Sequence, residues 1–184
     1  MDIGKFYETV VKLKEIKRRG WIERGVKDPE SISDHSFMVA LLCLIVPKQG
    51  IDKNKAVKMA LVHDLAESIT GDYISTENWS GGTISKEEQL KKEEQAMKEI
   101  LPLLDNETAK EIVSLWKEYE EGETTEARFV KDVDALEVLL QAYDYYSKKN
   151  YEKDLTVFWD KKGLNRIKDQ NIKKLVKDII DKGW

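Results

Sequence analysis

The chain has 184 residues, enough for one sizeable core, with 41% hydrophobic and 36% charged residues and a net charge of −4. This balance argues against a dedicated nucleic-acid binder, which would carry a basic balance or stripe, although Lys12, Lys14, Lys17, Arg18 and Arg19 form one local basic cluster, and the longest apolar run, Phe37 to Pro47, is too short to span a bilayer. One cysteine, Cys43, excludes an internal disulfide framework, and no basic-then-apolar leader opens the chain, so the expected location is the cytoplasm.

Residues 3–19 carry Phe6, Val10, Leu13 and Ile16 at spacings of three and four, which predicts an amphipathic helix stopped at Gly20. Residues 20–33, with Gly20, Gly25 and Pro29, read as a connector. Ser33 and Asp34 are N-cap types for a helix over about 34–46, almost wholly apolar after Phe37 and closed by Pro47 and Gly50. Cys43 within it reads as core rather than nucleophile. Asp52 caps a third helix that carries Val62-His63-Asp64-Leu65-Ala66-Glu67 and ends near Gly71. Its first part, Ala56 to Leu61, is apolar almost all round and predicts burial. Residues 71–84 read as a polar loop containing Asp72, Trp79 and Gly81-Gly82. A capping box at Ser85-Lys86-Glu87-Glu88 opens a charged helix to about Leu101. Further helices are predicted over 106–121, stopped by Gly122, over Thr125–Lys149, apolar on one side, over 153–161, and over 165–182. With no repeat, no Gly/Ser-rich linker and no alternating run, the expectation is all-α: a single-domain helical bundle of about six to eight helices over residues 1–184.

The chain has two histidines, His35 and His63, and both fall on the most apolar helices. An unpaired buried carboxylate beside one of them would cost several kcal/mol or take up a proton. A divalent cation removes that cost by making imidazole and carboxylate its ligands. Asp64 adjoins His63, Glu67 follows it by four residues on the same helix face, and a loop can bring Asp72 back over that face. The long helix adds Asp132 and Asp134, which helical geometry sets about 200° apart, each with apolar neighbours one turn away. Periodicity leaves both in play.

Taken in order, Arg18-Arg19-Gly20-Trp21, Glu30-Ser31-Ile32-Ser33-Asp34-His35-Ser36, His63-Asp64-Leu65-Ala66-Glu67 with Thr70-Gly71-Asp72, and Asp134-Ala135-Leu136-Glu137 resemble the HD-domain metal-dependent phosphohydrolases, in particular their 5′-deoxynucleotidase branch, over about residues 10–150. The resemblance implies His35, His63, Asp64 and Asp134 as metal ligands, Glu67 as the acid that positions or activates the attacking water, and Asp72 as an acid near the sugar and leaving oxygen. It implies a phosphate-binding Arg18 or Arg19, a homodimer, and hydrolysis of a nucleoside monophosphate or similar small phosphate ester. Tyr143, Tyr145 and Tyr146 offer material for the dimer interface or for the chain's own core. Trp21 would pack against a sugar or base, or serve the core. Mixed N/O ligation suits one Mn, Co, Ni, Fe or Zn ion per chain. With both histidines used on one ion, a His-rich binuclear site is disfavoured. The second His of a zincin helix and a P-loop are both missing. The alternatives are the same site acting on another phosphate ester or nucleotide analogue, and a non-catalytic helical module with a structural ion.

Overall fold

Capping chemistry decides where the helices of the computed structural model begin; it describes residues 1–74 and 84–182. Helix α1, Ile3–Val10, is capped by Asp2, whose carboxylate accepts from Lys5 N, and tightens into a 3₁₀ turn over Val11–Lys14. It stops short of the expected Gly20. Arg18 turns out of helical geometry (ψ 115°), and the chain pairs with the segment before the next long helix: Arg18 N donates to Glu30 O and Ile32 N to Ile16 O, both at 3.0 Å. A single turn, α2 (Arg19–Ile22), then stands where a connector was expected.

Helix α3, Ile32–Ile45, starts two residues before the expected position because Ser31, not Ser33 or Asp34, is its cap. Asp34 is the other half of a reciprocal box: Asp34 N donates to Ser31 Oγ at 3.1 Å and Ser31 N to Asp34 Oδ2 at 2.9 Å, a cap worth about 1 kcal/mol. Helix α4, Lys53–Val62, is capped by Asp52 as expected but does not run on to Gly71. His63 Nδ1 donates to Ala60 O at 2.7 Å, occupying the carbonyl that the next amide of a continuing helix would use. Residues 63–66 form a tight turn before α5, Glu67–Thr70, which ends at Gly71 with φ +75°. Of the expected 71–84 loop, Trp79 and Gly81-Gly82 lie outside the described residues.

Helices α6 (Lys86–Ile100), α7 (Asn106–Glu121) and α8 (Thr125–Ser147) follow, with Ser85 and Asp105 as caps and Gly122 in the left-handed conformation closing α7. A 3₁₀ turn at Thr156–Phe158 and a single turn, α9 (Lys161–Leu164), replace the helix expected over 153–161. The last helix, α10 (Gln170–Lys182), begins later than residue 165 because the Asp169 carboxylate accepts from Asn171 N and Ile172 N. Single turns aside, seven longer helices remain among the described residues, within the expected range.

Helix α8 is the centre of the bundle. It packs on α3, α4, α7 and α10, and residues 127–139 are buried almost all round rather than on one side. Val130, Val133 and Leu136 meet Val39 and Cys43 of α3, Met59 and Ala60 of α4, Leu115 of α7 and Ile172 of α10 in one cluster; each such burial contributes about 1.5–3 kcal/mol. The Cys43 thiol, pushed up to about 12 by burial, is an inert part of this core. Contrary to the expectation of buried helices, α3 and α4 bury one side each, and Phe37, Leu44 and Ile45 of α3 are 61%, 58% and 63% exposed. No described helix is long and apolar enough to cross a membrane.

Candidate active site

Three pieces of backbone converge on one point. The inward face of α3 presents His35, the turn after α4 presents His63 and Asp64, and the middle of α8 presents Asp134. His63 Nε2 lies 3.2 Å from Asp64 Oδ2, while His35 Nε2 lies 3.3 Å from Asp134 Oδ1 and 3.8 Å from Asp64 Oδ2. Asp132, two residues away, faces elsewhere, accepting backbone amides from Lys168 and Asp169. Packing thus sets Asp134, not Asp132, beside the two histidines.

The outer nitrogen of each ring is already committed. His63 Nδ1 faces Ala60 O, and His35 Nδ1 lies 2.6 Å from Glu137 Oε2. Both Nε2 atoms are buried without a hydrogen bond. Burial and Arg18 disfavour an imidazolium at His35, yet Glu137 and Asp134 outweigh them and lift its pKa to about 10. Burial likewise opposes charge on the acids, but His63, Arg18 and His35 draw Asp64 down to about 2, and His35 and His63 hold Asp134 well below the carboxylate range. Two orphaned imidazole nitrogens facing ionised carboxylates fit a divalent cation, which would take the place of the protons. His35, His63 and Asp64 each offer a ligand atom within 4.8 Å of the others'.

The cluster is the floor of an open cavity of about 710 Å³. Arg18 stands on one wall, its Nη1 3.4 Å from Asp64 Oδ2 and 4.0 Å from Asp72 Oδ1. Burial works against its charge, but Asp72, Asp64 and Glu67 more than compensate. Arg19 is turned away: its side chain pairs with Glu23, and only its backbone amide serves the site, donating to Asp72. Glu67 is buried, its Oε2 without a partner, and burial followed by Asp64 and Asp72 pushes its carboxyl well above the usual range. Trp21 borders the cavity but is 3% exposed, donating Nε1–H to Glu30 and packing on Tyr145 and Phe158.

Several residues here were not assigned roles from sequence. Tyr119 of α7 donates its hydroxyl to Asp134 Oδ2 at 3.0 Å and lies under Lys131. Gln89 and Glu93 of α6, with Glu120 and Lys131, also line the cavity, and burial raises Glu93 to about 7. Phe158, Asn165 and Arg166 bring the C-terminal segment to the cavity lining, beyond the 10–150 motif region. A buried acid at an apolar helical register is the one signal that could have found Glu93 and Glu137.

A family model for the HD domain matches residues 10–175. The chain is 44% identical over 149 residues to the 5′-deoxynucleotidase HDDC2 of Dictyostelium discoideum, spanning 77% of this chain and 76% of that protein. It is 40% identical over 156 residues to the 5′-deoxynucleotidase HDDC2 of Homo sapiens, spanning 85% and 74% respectively. Among solved structures, the PH0347 protein from Pyrococcus horikoshii OT3 superposes with a TM-score of 0.74 at 36% identity, covering 97% of this chain and 96% of that one.

Proposed function

This chain belongs to the HD-domain family, and from that premise we propose that it is a metal-dependent phosphomonoesterase that releases phosphate from deoxyribonucleoside 5′-monophosphates. One observation carries the reading: two orphaned histidine nitrogens and two ionised carboxylates meet at a cavity that also holds a half-buried arginine, Arg18, and a buried glutamate, Glu67, whose Oε2 has no partner. His35, His63, Asp64 and Asp134 would hold one divalent transition ion. When bound, the ion supplies Lewis-acid polarisation of the phosphoryl group and a lowered pKa for water.

The chain's own residues supply the rest. Arg18, charged at all accessible pH, binds a phosphoryl oxygen and offsets the phosphate's charge. Glu67 accepts the proton of the attacking water as the new P–O bond forms. The bond from phosphorus to the 5′-oxygen breaks, and that oxygen takes up the equivalent of the proton Glu67 received, through water in the open cavity, and leaves as the nucleoside 5′-hydroxyl beside Asp72. Asp72 also anchors the Arg18–Arg19 backbone through the Arg19 amide. A purely structural ion would need neither the open cavity nor Glu67.

Phosphate release from dAMP, dGMP, dCMP, dUMP, dTMP and their ribo forms, without metal and with Mn²⁺, Co²⁺ or Zn²⁺, tests the proposal. Metal-dependent release favouring the deoxy forms is expected. Silence across the panel with the ion bound would leave a different ester as substrate or a structural ion.

We further propose that the protein works as a cytoplasmic homodimer, joined through α3. Of the tyrosines that could serve either an interface or the chain's own core, Tyr145 is buried against Trp21, Tyr143 meets Trp159 at 5.8 Å, and Tyr146 stacks on Tyr151 at 5.7 Å while staying 39% exposed. The exposed stripe of Phe37, Leu41, Leu44 and Ile45 on one helix is a continuous apolar surface suited to the contact. Light scattering is expected to give twice the chain mass, falling to one chain in Leu44→Glu. A monomeric wild type, or a dimer indifferent to that change, would overturn this interface.

A further inference from the structure

We propose that Glu137 is a positioning residue: its buried carboxylate fixes the orientation and tautomer of the His35 ring, so that Nε2 is the nitrogen offered to the ion. The inference rests on reading His35 as a ligand.

The geometry comes from a single helix. Glu137 follows Asp134 by three residues on α8, so both side chains leave the same face. Asp134 Oδ1 lies 3.3 Å from Nε2, and Glu137 Oε2 lies 2.6 Å from Nδ1. Helix α8 therefore grips both nitrogens of one imidazole that belongs to α3. Glu137 is 3% exposed and His35 is 0% exposed, so water has little access to replace this bond. A carboxylate acceptor at Nδ1 fixes the proton there and makes Nε2 a better donor to a metal.

Glu30, His35 and Glu137 also have ligand atoms within 4.8 Å of one another, but an ion does not fit between Nδ1 and an oxygen 2.6 Å away. Glu30 is held by other partners: it accepts Trp21 Nε1–H at 2.7 Å, and its backbone amide donates to Tyr145 Oη at 2.8 Å. It completes the polar lining behind the ring. His63 is supported differently, because its Nδ1 partner is the Ala60 backbone carbonyl. The two ligands thus have unequal support, and only that of His35 can be changed by substitution.

The test is Co²⁺ binding, read by visible absorption in the absence of substrate. Glu137→Met fills the same volume without an acceptor and is expected to weaken binding by about 10- to 100-fold and to alter the Co²⁺ spectrum. Glu137→Gln keeps an oxygen acceptor and is expected to recover most of that loss. A packing role alone would leave Glu137→Met close to wild type, and equal losses in the two variants would also overturn the proposal. Should Glu137→Met not fold, the Zn²⁺-loaded wild type still decides. The chain has two histidines, so its ring-¹⁵N spectrum contains two spin systems. The His35 system is expected to carry its proton on Nδ1; a proton on Nε2 would end the proposal. His35→Ala is the control: Co²⁺ binding unaffected there would mean that the ligand reading itself had failed. Loss in His35→Ala with none in Glu137→Met would mean that only the role of Glu137 had failed.

Discussion

Asp64→Asn is expected to abolish stoichiometric retention of a divalent ion and to lower phosphate release by about 1000-fold or more, since the ion's contribution to the transition state is several kcal/mol. Asp64 is the acid shared by the whole floor, its Oδ2 lying 3.2 Å from His63 Nε2, 3.8 Å from His35 Nε2 and 3.4 Å from Arg18 Nη1. The substitution removes the negative charge that draws a cation between the rings and leaves Arg18 with Asp72 as its nearest acid. Metal analysis after desalting, alongside phosphate release, reads both effects. Retention of one ion per chain with near-normal turnover would remove Asp64 from the ligand set.

Glu67→Gln should separate chemistry from metal binding. The carboxylate lies outside the His35–His63–Asp64 cluster, and its backbone amide, which donates to Asp64 O at 3.0 Å, is unchanged by the substitution. Metal content is therefore expected to match wild type, while kcat falls by about 10²- to 10⁴-fold, the contribution typical of a general base. The metal-free variant should melt no lower than wild type. Burial, Asp64 and Asp72 already disfavour charge on Glu67, and a neutral amide removes that conflict. A rate loss without a stability loss is the pattern expected of a residue kept for chemistry. Unchanged kcat would assign the base elsewhere.

The parts of the fold legible in sequence were those governed by local chemistry. Asp52, Ser85 and Gly122 punctuate their helices as expected because a cap needs only its own few residues. The break at His63 was not legible, because it arises from a ring nitrogen taking a backbone carbonyl, and the apolar period continues through it. Nor was the early end of the first helix, where Ile16 and Arg18 pair with a segment fourteen or so residues on. The choice between Asp132 and Asp134 depends on which side of α8 meets α3 and which meets the approach to α10, a tertiary fact. The same holds for Arg18 over Arg19, since the turn of α2 directs one inward and the other to Glu23. Motif resemblance supplied the candidate ligands but not what stands behind them: Glu137 lay within a quoted motif, and its role needed the His35 ring beside it.

The central placement of α8 has a consequence for the order in which the protein is made. Arg18, His35, His63, Asp64, Glu67 and Asp72 all leave the ribosome within the first 72 residues, whereas Asp134 emerges more than sixty residues later. Until Thr125–Ser147 is available, α3 and α4 lack the surface against which Val39, Cys43, Met59 and Ala60 are buried. The early residues are then a loose set of donors with no geometry of their own. Loading with a cation would therefore be a late event in biogenesis, coupled to docking of α8, and a nascent chain stalled before that point has most of the site's chemistry but no means of selecting its ion.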